Sequence, residues 1–140
     1  MPLWVFYAIL SMIFAGLTSV IAKFGLKNVS ADTGLIVRTT FVFLLVWLNG
    51  IAFRDLRDFS QLTTKDILFL GLSGLTTTLS WIFYYRAIKM GDVSVVAVID
   101  KASIVITLIL SFWLLKEPFT WRMVIAGALI IAGLLVLTIK

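Results

Sequence analysis

The chain has 140 residues, 61% of them hydrophobic and 14% charged, with a net charge of +5 and a mean hydropathy of +1.12, whereas soluble domains carry about 25% charged residues. Twelve Lys and Arg and seven Asp and Glu cannot cover a compact water-soluble core of this size, so a bilayer must supply the missing apolar solvent. The absence of cysteine and histidine excludes disulfides, thiol chemistry, zinc ligation and imidazole acid-base catalysis.

A segment must reach ~20 apolar residues to cross a hydrocarbon core ~30 Å thick, and five segments do. The first runs from Leu3 to Ala22, with Gly25 as its expected C-terminal cap. Met1-Pro2-Leu3-Trp4 lacks a basic leader, so this run is read as a span and not as a signal peptide. The second covers residues 33–53, with Asp32 as the expected N-cap and Arg38 inside it. The polar stretch from Arg54 to Asp66 reads as a headgroup-level loop. The third span, 67–85, is rich in Gly, Ser and Thr, which let helices approach and hydrogen-bond in lipid. Trp81, Tyr84 and Tyr85 are expected to close it at the interface. The fourth, 93–115, carries Asp100 and Lys101 and is ended by Lys116-Glu117-Pro118, because proline cannot continue the hydrogen-bond ladder. The fifth is 121–139; Gly127, Ala128, Ala132 and Gly133 give it a small-residue face that suits either a dimer contact or packing inside the protomer. The expected fold is therefore all-α, a single polytopic membrane domain over residues 1–140 with five transmembrane helices.

Basic residues in short loops set orientation. Here they balance: Arg54, Arg57, Lys65, Lys116 and Arg122 fall on one side, and Lys23, Lys27, Arg86, Lys89 and Lys140 on the other. A balanced chain can insert both ways, and two inverted copies can then pair about an axis in the membrane plane. Dual topology and a homodimer are the expectation. The scattered basic residues form no nucleic-acid patch; they anchor loops at lipid headgroups.

Ionisable groups inside a span are costly to insert and mark pathways or internal pairs. Arg38 lies about five residues into the second span and Asp100 about seven into the fourth, ~8 and ~11 Å deep by the helical rise. An Arg38–Asp100 pair is thus geometrically allowed. Asp100 and Lys101, about 100° apart on a helix, are not expected to share a face. The functional reading is a polar substrate or ion pathway: Asp100 takes a cation or coupling proton, Arg38 or Lys101 an anion, and Trp81, Tyr84 and Tyr85 stack on substrate as an alternative to interfacial anchoring. The structural alternative is a salt bridge that only fixes helices.

Tyr85-Arg86-Ala87-Ile88, Gly91-Asp92-Val93-Ser94-Val95-Val96-Ala97, Leu114-Leu115-Lys116-Glu117-Pro118 and Ile125-Ala126-Gly127-Ala128-Leu129-Ile130-Ile131-Ala132-Gly133 follow one another in an order and spacing that resemble the EamA domain of the drug/metabolite transporter superfamily. Most members fuse two such domains; this chain holds one and is similar to the five-helix bacterial and archaeal transporter branch. The resemblance implies a transporter of small-molecule metabolites working as a homodimer of inverted orientation in the cell (inner) membrane. Ile99-Asp100-Lys101-Ala102-Ser103 departs from the apolar, proline-containing stretch that many EamA domains have there. Glu117 matches the family's acidic residue after the fourth helix, where it caps or pairs.

No glycine-rich loop ending in Gly-Lys-Ser or Gly-Lys-Thr occurs, so nucleotide-driven pumping has no support. No cofactor, metal or catalytic residue is expected: Asp100 is the one acid well inside a span, and intramembrane hydrolysis needs paired acids or an activated nucleophile. The remaining alternative is a non-transporting membrane subunit of a larger complex, or one that moves lipid-linked intermediates.

Overall fold

The computed structural model describes residues 2–53, 59–118 and 120–138. Six helices follow in order: α1 (Leu3–Gly25), α2 (Ala31–Ala52), α3 (Thr64–Met90), α4 (Val93–Asp100), α5 (Ser103–Leu114) and α6 (Trp121–Thr138). There is no β-strand among the described residues. Helices α4 and α5 together make one span, Val93–Leu114, so the protein is all-α with five transmembrane segments, α6 being the shortest. Residues 54–58 of the expected polar loop lie outside the described residues, as do Ile139 at the expected end of the last span and Lys140 beyond it. The chain divides into two compact units, Met1–Met90 and Gly91–Lys140.

In the first unit the helix ends differ from the sequence reading, and polar chemistry explains each difference. Ser30, not Asp32, caps α2: its Oγ accepts from the Thr33 N–H at 3.1 Å. Asp32 in the first helical turn is left free for a tertiary ion pair. Gly25 is the last residue of α1 and no described glycine has a positive φ; the carbonyls beyond it are satisfied from another helix, as described below. Helix α3 starts earlier than Ile67, because Thr63 and Asp66 form a reciprocal cap: Asp66 Oδ2 accepts from the Thr63 N–H at 3.0 Å, and Thr63 Oγ1 accepts from the Asp66 N–H at 3.3 Å. It also continues past Tyr85 to Met90.

Most apolar side chains face outward, as a bilayer solvent permits. The buried hydrophobic residues among those described are Leu26, Leu35, Tyr85 and Ile88, gathered where α1 ends, α2 begins and α3 ends. Gly34 makes room there, since a Cβ on it would strike the Leu26 side chain. Leu26 is only 2% exposed and has little room to move. Gly34→Val is expected to cost about 1–3 kcal/mol by overpacking, read as a lower midpoint of thermal unfolding in detergent; an unchanged midpoint refutes the close approach.

In the second unit α4 and α5 pack on α6. Gly127 is buried at the α5–α6 seam, where an added Cβ would sit 3.4 Å from Leu108 Cδ1. An apolar groove of about 490 Å³ runs along the seam, past Leu108, Phe112, Met123, Gly127 and Ile131. Helix α5 stops at Leu114, before the proline: Lys116 turns left-handed (φ 54°) and the Glu117 N–H returns to the Ser111 carbonyl at 3.3 Å.

Candidate functional site

Helices α2 and α3 are in contact, and the pairings match residues later in α2 with residues earlier in α3, so the two run antiparallel where they meet. At the first step, Arg86 forks onto Asp32, with Nε and Nη2 on Oδ1 at 3.2 and 3.1 Å and Nη2 on Oδ2 at 3.3 Å. Both side chains are more than half exposed, so this pair contributes little to stability; it fixes register. Six residues further along α2, Arg38 meets Trp81. Its guanidinium carbon lies 4.2 Å from the indole centroid and 5.7 Å from the Tyr85 ring centroid. Trp81 and Tyr85 are four apart and so share one face of α3.

Arg38 sits seven residues beyond Ala31, the start of α2, or ~10 Å along the helix. Placing arginine within a span costs ~2.5–3.5 kcal/mol on insertion scales, and a desolvated cation–π contact returns about 2 kcal/mol. The two nearly balance, yet Nη1 is enclosed and has no hydrogen-bond partner among the described residues.

Tyr84 faces the other way. Its hydroxyl donates to Ser19 Oγ at 2.7 Å, tying α3 to α1, so the expected interfacial anchors serve as tertiary contacts inside the bundle. Below that tie, two lysines exchange roles. Lys23 of α1 donates Nζ to the Ile88 carbonyl near the end of α3, and Lys89 of α3 donates to the Leu26 and Lys27 carbonyls just past α1. Each cation thereby meets the negative dipole end of the neighbouring helix.

The second unit holds the other intramembrane charges. The span tightens between Asp100 and Ser103: the Lys101 N–H is shared between the carbonyls of Ala97 at 3.3 Å and Val98 at 3.1 Å, and those of Ala102 and Ile104 reach three residues back, to Ile99 at 3.0 Å and Lys101 at 3.1 Å. This tight winding departs from the regular α-helical ladder and brings Lys101 Nζ to 3.6 Å from Asp100 Oδ2, correcting the expectation that the two side chains point apart. Arg38 and Asp100 belong to different units, and each has a partner within its own. Of the small residues on α6, Gly127 packs against α5, whereas Ala128, Ala132 and Gly133 are exposed and nothing lies within 4 Å of a Cβ built on Gly133.

The ion pair Asp32–Arg86, the exchanged lysines and the Tyr84–Ser19 bond are long-range pairings that no local pattern announces. The Tyr85 contact with Arg38 was within reach, through the four-residue spacing from Trp81.

A polytopic helical membrane protein that keeps charged side chains on an aromatic shelf and at a helix break has the build of a protein that handles solutes within the bilayer. The model of the EamA-like transporter family matches residues 2–139, and the chain belongs to that family. It is 37% identical over 136 residues to a Sinorhizobium sp. protein described as an uncharacterized transporter in the cobO 3′ region, covering 97% of this chain and 96% of the relative. No solved structure matches the chain. As a member of the family it is a multi-pass membrane transporter, and membership points to transport rather than catalysis.

Proposed function

We propose that the protein is a secondary carrier or exporter of small metabolites, active as a homodimer of inverted topology in the cell (inner) membrane and moving its solute by alternating access. The observation that carries this reading is the break in the fourth span, with Asp100 and Lys101 at it. Ionisable side chains kept inside a span mark solute and ion pathways; the backbone N–H groups of Lys101, Ala102 and Ile104 at this interruption stay bonded to carbonyls one turn back, so the Asp100 and Lys101 side chains are what it offers. Asp100 is the coupling-cation or proton group, Lys101 its counter-charge, and Arg38 and Trp81 line the solute path, while Tyr84 is committed to Ser19 of α1. The exposed face carrying Ala128, Ala132 and Gly133 offers a close approach to a second copy, while Gly127 is committed to α5.

Five spans with balanced flanking charge support the inverted pair, since five-helix units fused in tandem take opposite orientations. Reporters active on only one side of the membrane, fused to the C-terminus in cells, test it. Signal from both sides is expected; signal from one side alone refutes dual topology.

A further inference from the structure

The surroundings of Arg38 name the class of solute, an inference that rests on the carrier reading. Stacking against Trp81 and Tyr85 occupies the face of the guanidinium and leaves its in-plane N–H groups, a rigid fork that matches a carboxylate or phosphate. The carboxylate on the same helix is otherwise engaged, and no hydroxyl among the described residues answers Nη1. Asp32, six residues before Arg38 on α2, is held by Arg86. The Thr39 and Thr40 hydroxyls, next along α2, donate to the Leu35 and Ile36 carbonyls at 2.8 and 3.0 Å and the Tyr84 hydroxyl donates to Ser19; their oxygens are neutral acceptors, and Nη1 bonds to none of them. Nη1 remains without an acceptor among the described residues, while the residue as a whole is only half-buried and reachable.

An enclosed cation with spare donors repels a cationic solute and leaves a neutral one poorly matched. We infer that Arg38, shelved on Trp81 and Tyr85, is an intramembrane oxyanion site, and that the carried solute is an organic anion presenting a carboxylate or phosphate to the guanidinium edge. The aromatic shelf favours an anion with a flat apolar body that lies along the Trp81 indole.

The test is direct binding, which needs no transport. Purified full-length protein in phosphatidylcholine nanodiscs is titrated with benzoate, inorganic phosphate and benzylammonium, followed by tryptophan fluorescence and thermal stability. Benzoate is expected to saturate the protein and raise its melting temperature, with phosphate weaker and benzylammonium without effect. Arg38→Gln is expected to weaken benzoate about 10- to 100-fold, the loss of a charge-assisted hydrogen bond or two. Arg38→Lys keeps the charge without the planar fork, so it carries the test if the glutamine variant does not fold; a loss of about tenfold or more is expected. Equal binding of benzoate and benzylammonium, or wild-type benzoate affinity in both variants, overturns the proposal. So does a response to phosphatidylglycerol nanodiscs alone, which assigns the site to a lipid headgroup. Benzoate binding without solute movement in liposomes keeps the oxyanion site and sinks the carrier reading; movement of amines that ignores Arg38 does the reverse.

Discussion

Changing Asp100 to Asn and Lys101 to Met together is expected to leave a folded, membrane-inserted protein that no longer couples solute movement to an ion gradient. The two side chains meet at 3.6 Å at the break in the fourth span. Neutralising either alone leaves the other charge unmatched in a low-dielectric setting, so each single variant is expected to lose stability as well as transport. Removing both eliminates that mismatch, which separates the two readings of the pair. A bridge whose only task is to hold the helix break is dispensable once both charges are gone, and the double variant then transports like the wild type. A coupling pair is not dispensable. Gradient-driven accumulation is expected to fall about 5- to 150-fold, the range given by a coupling free energy of ~1–3 kcal/mol, while downhill exchange of the same solute survives. The measurement is uptake into proteoliposomes, with and without an imposed ion gradient, of whichever small organic acid or amine the wild type moves in a screen. Thermal stability and C-terminal reporter signal measured on the same variants show that the protein is present and folded.

The spans were legible because lipid imposes a length and an apolar requirement that composition meets directly, and all five fall where the sequence puts them. Their ends were not, because caps and tertiary partners decide them. Ser30 displaces Asp32 as the cap of α2 by offering Oγ at the right distance from the Thr33 N–H, and Asp32 finds Arg86 54 residues away. Gly25 was a sensible cap by local rule, yet Lys89 reaches the carbonyls past it from α3, and no window of α1 contains that information. The break after Asp100 has no glycine or proline to announce it. Of the candidate residues, Arg38 was visible as a charge in an apolar run, and Trp81 as an aromatic; that the two stack was a matter of α2–α3 register.

That register also bears on topology. Four of the five basic residues flanking the spans on one side are held by the protein itself: Lys23 and Lys89 on helix-end carbonyls, Arg86 on Asp32, and Lys27 with its Nζ 5.2 Å from the Phe24 ring centroid. Deleting Lys23 or Lys89 to shift the charge balance would break ties between helices. Orientation is better biased by adding charge at exposed positions that hold nothing together.

Pro2→Lys with Gln61→Lys adds two cations to one side, and Asn28→Lys with Met90→Lys adds two to the other; all four positions are exposed. Each pair moves the flanking count from five against five to seven against five, enough bias to favour the orientation that keeps the added lysines in the cytoplasm. Each variant is expected to give C-terminal reporter signal from one side only, opposite for the two. Driving an even mixture to about 99:1 takes a preference on the order of 100-fold, and at that ratio almost no protomer finds an inverted partner. Either variant alone is therefore expected to lose nearly all transport although its fold is untouched. Expressed together they supply one orientation each, and activity is expected to return to near the wild-type level. Full activity from a single locked variant refutes the inverted homodimer and makes a parallel assembly the working unit. Loss in both without recovery on co-expression refutes it as well, since two oppositely fixed copies reproduce the proposed pair.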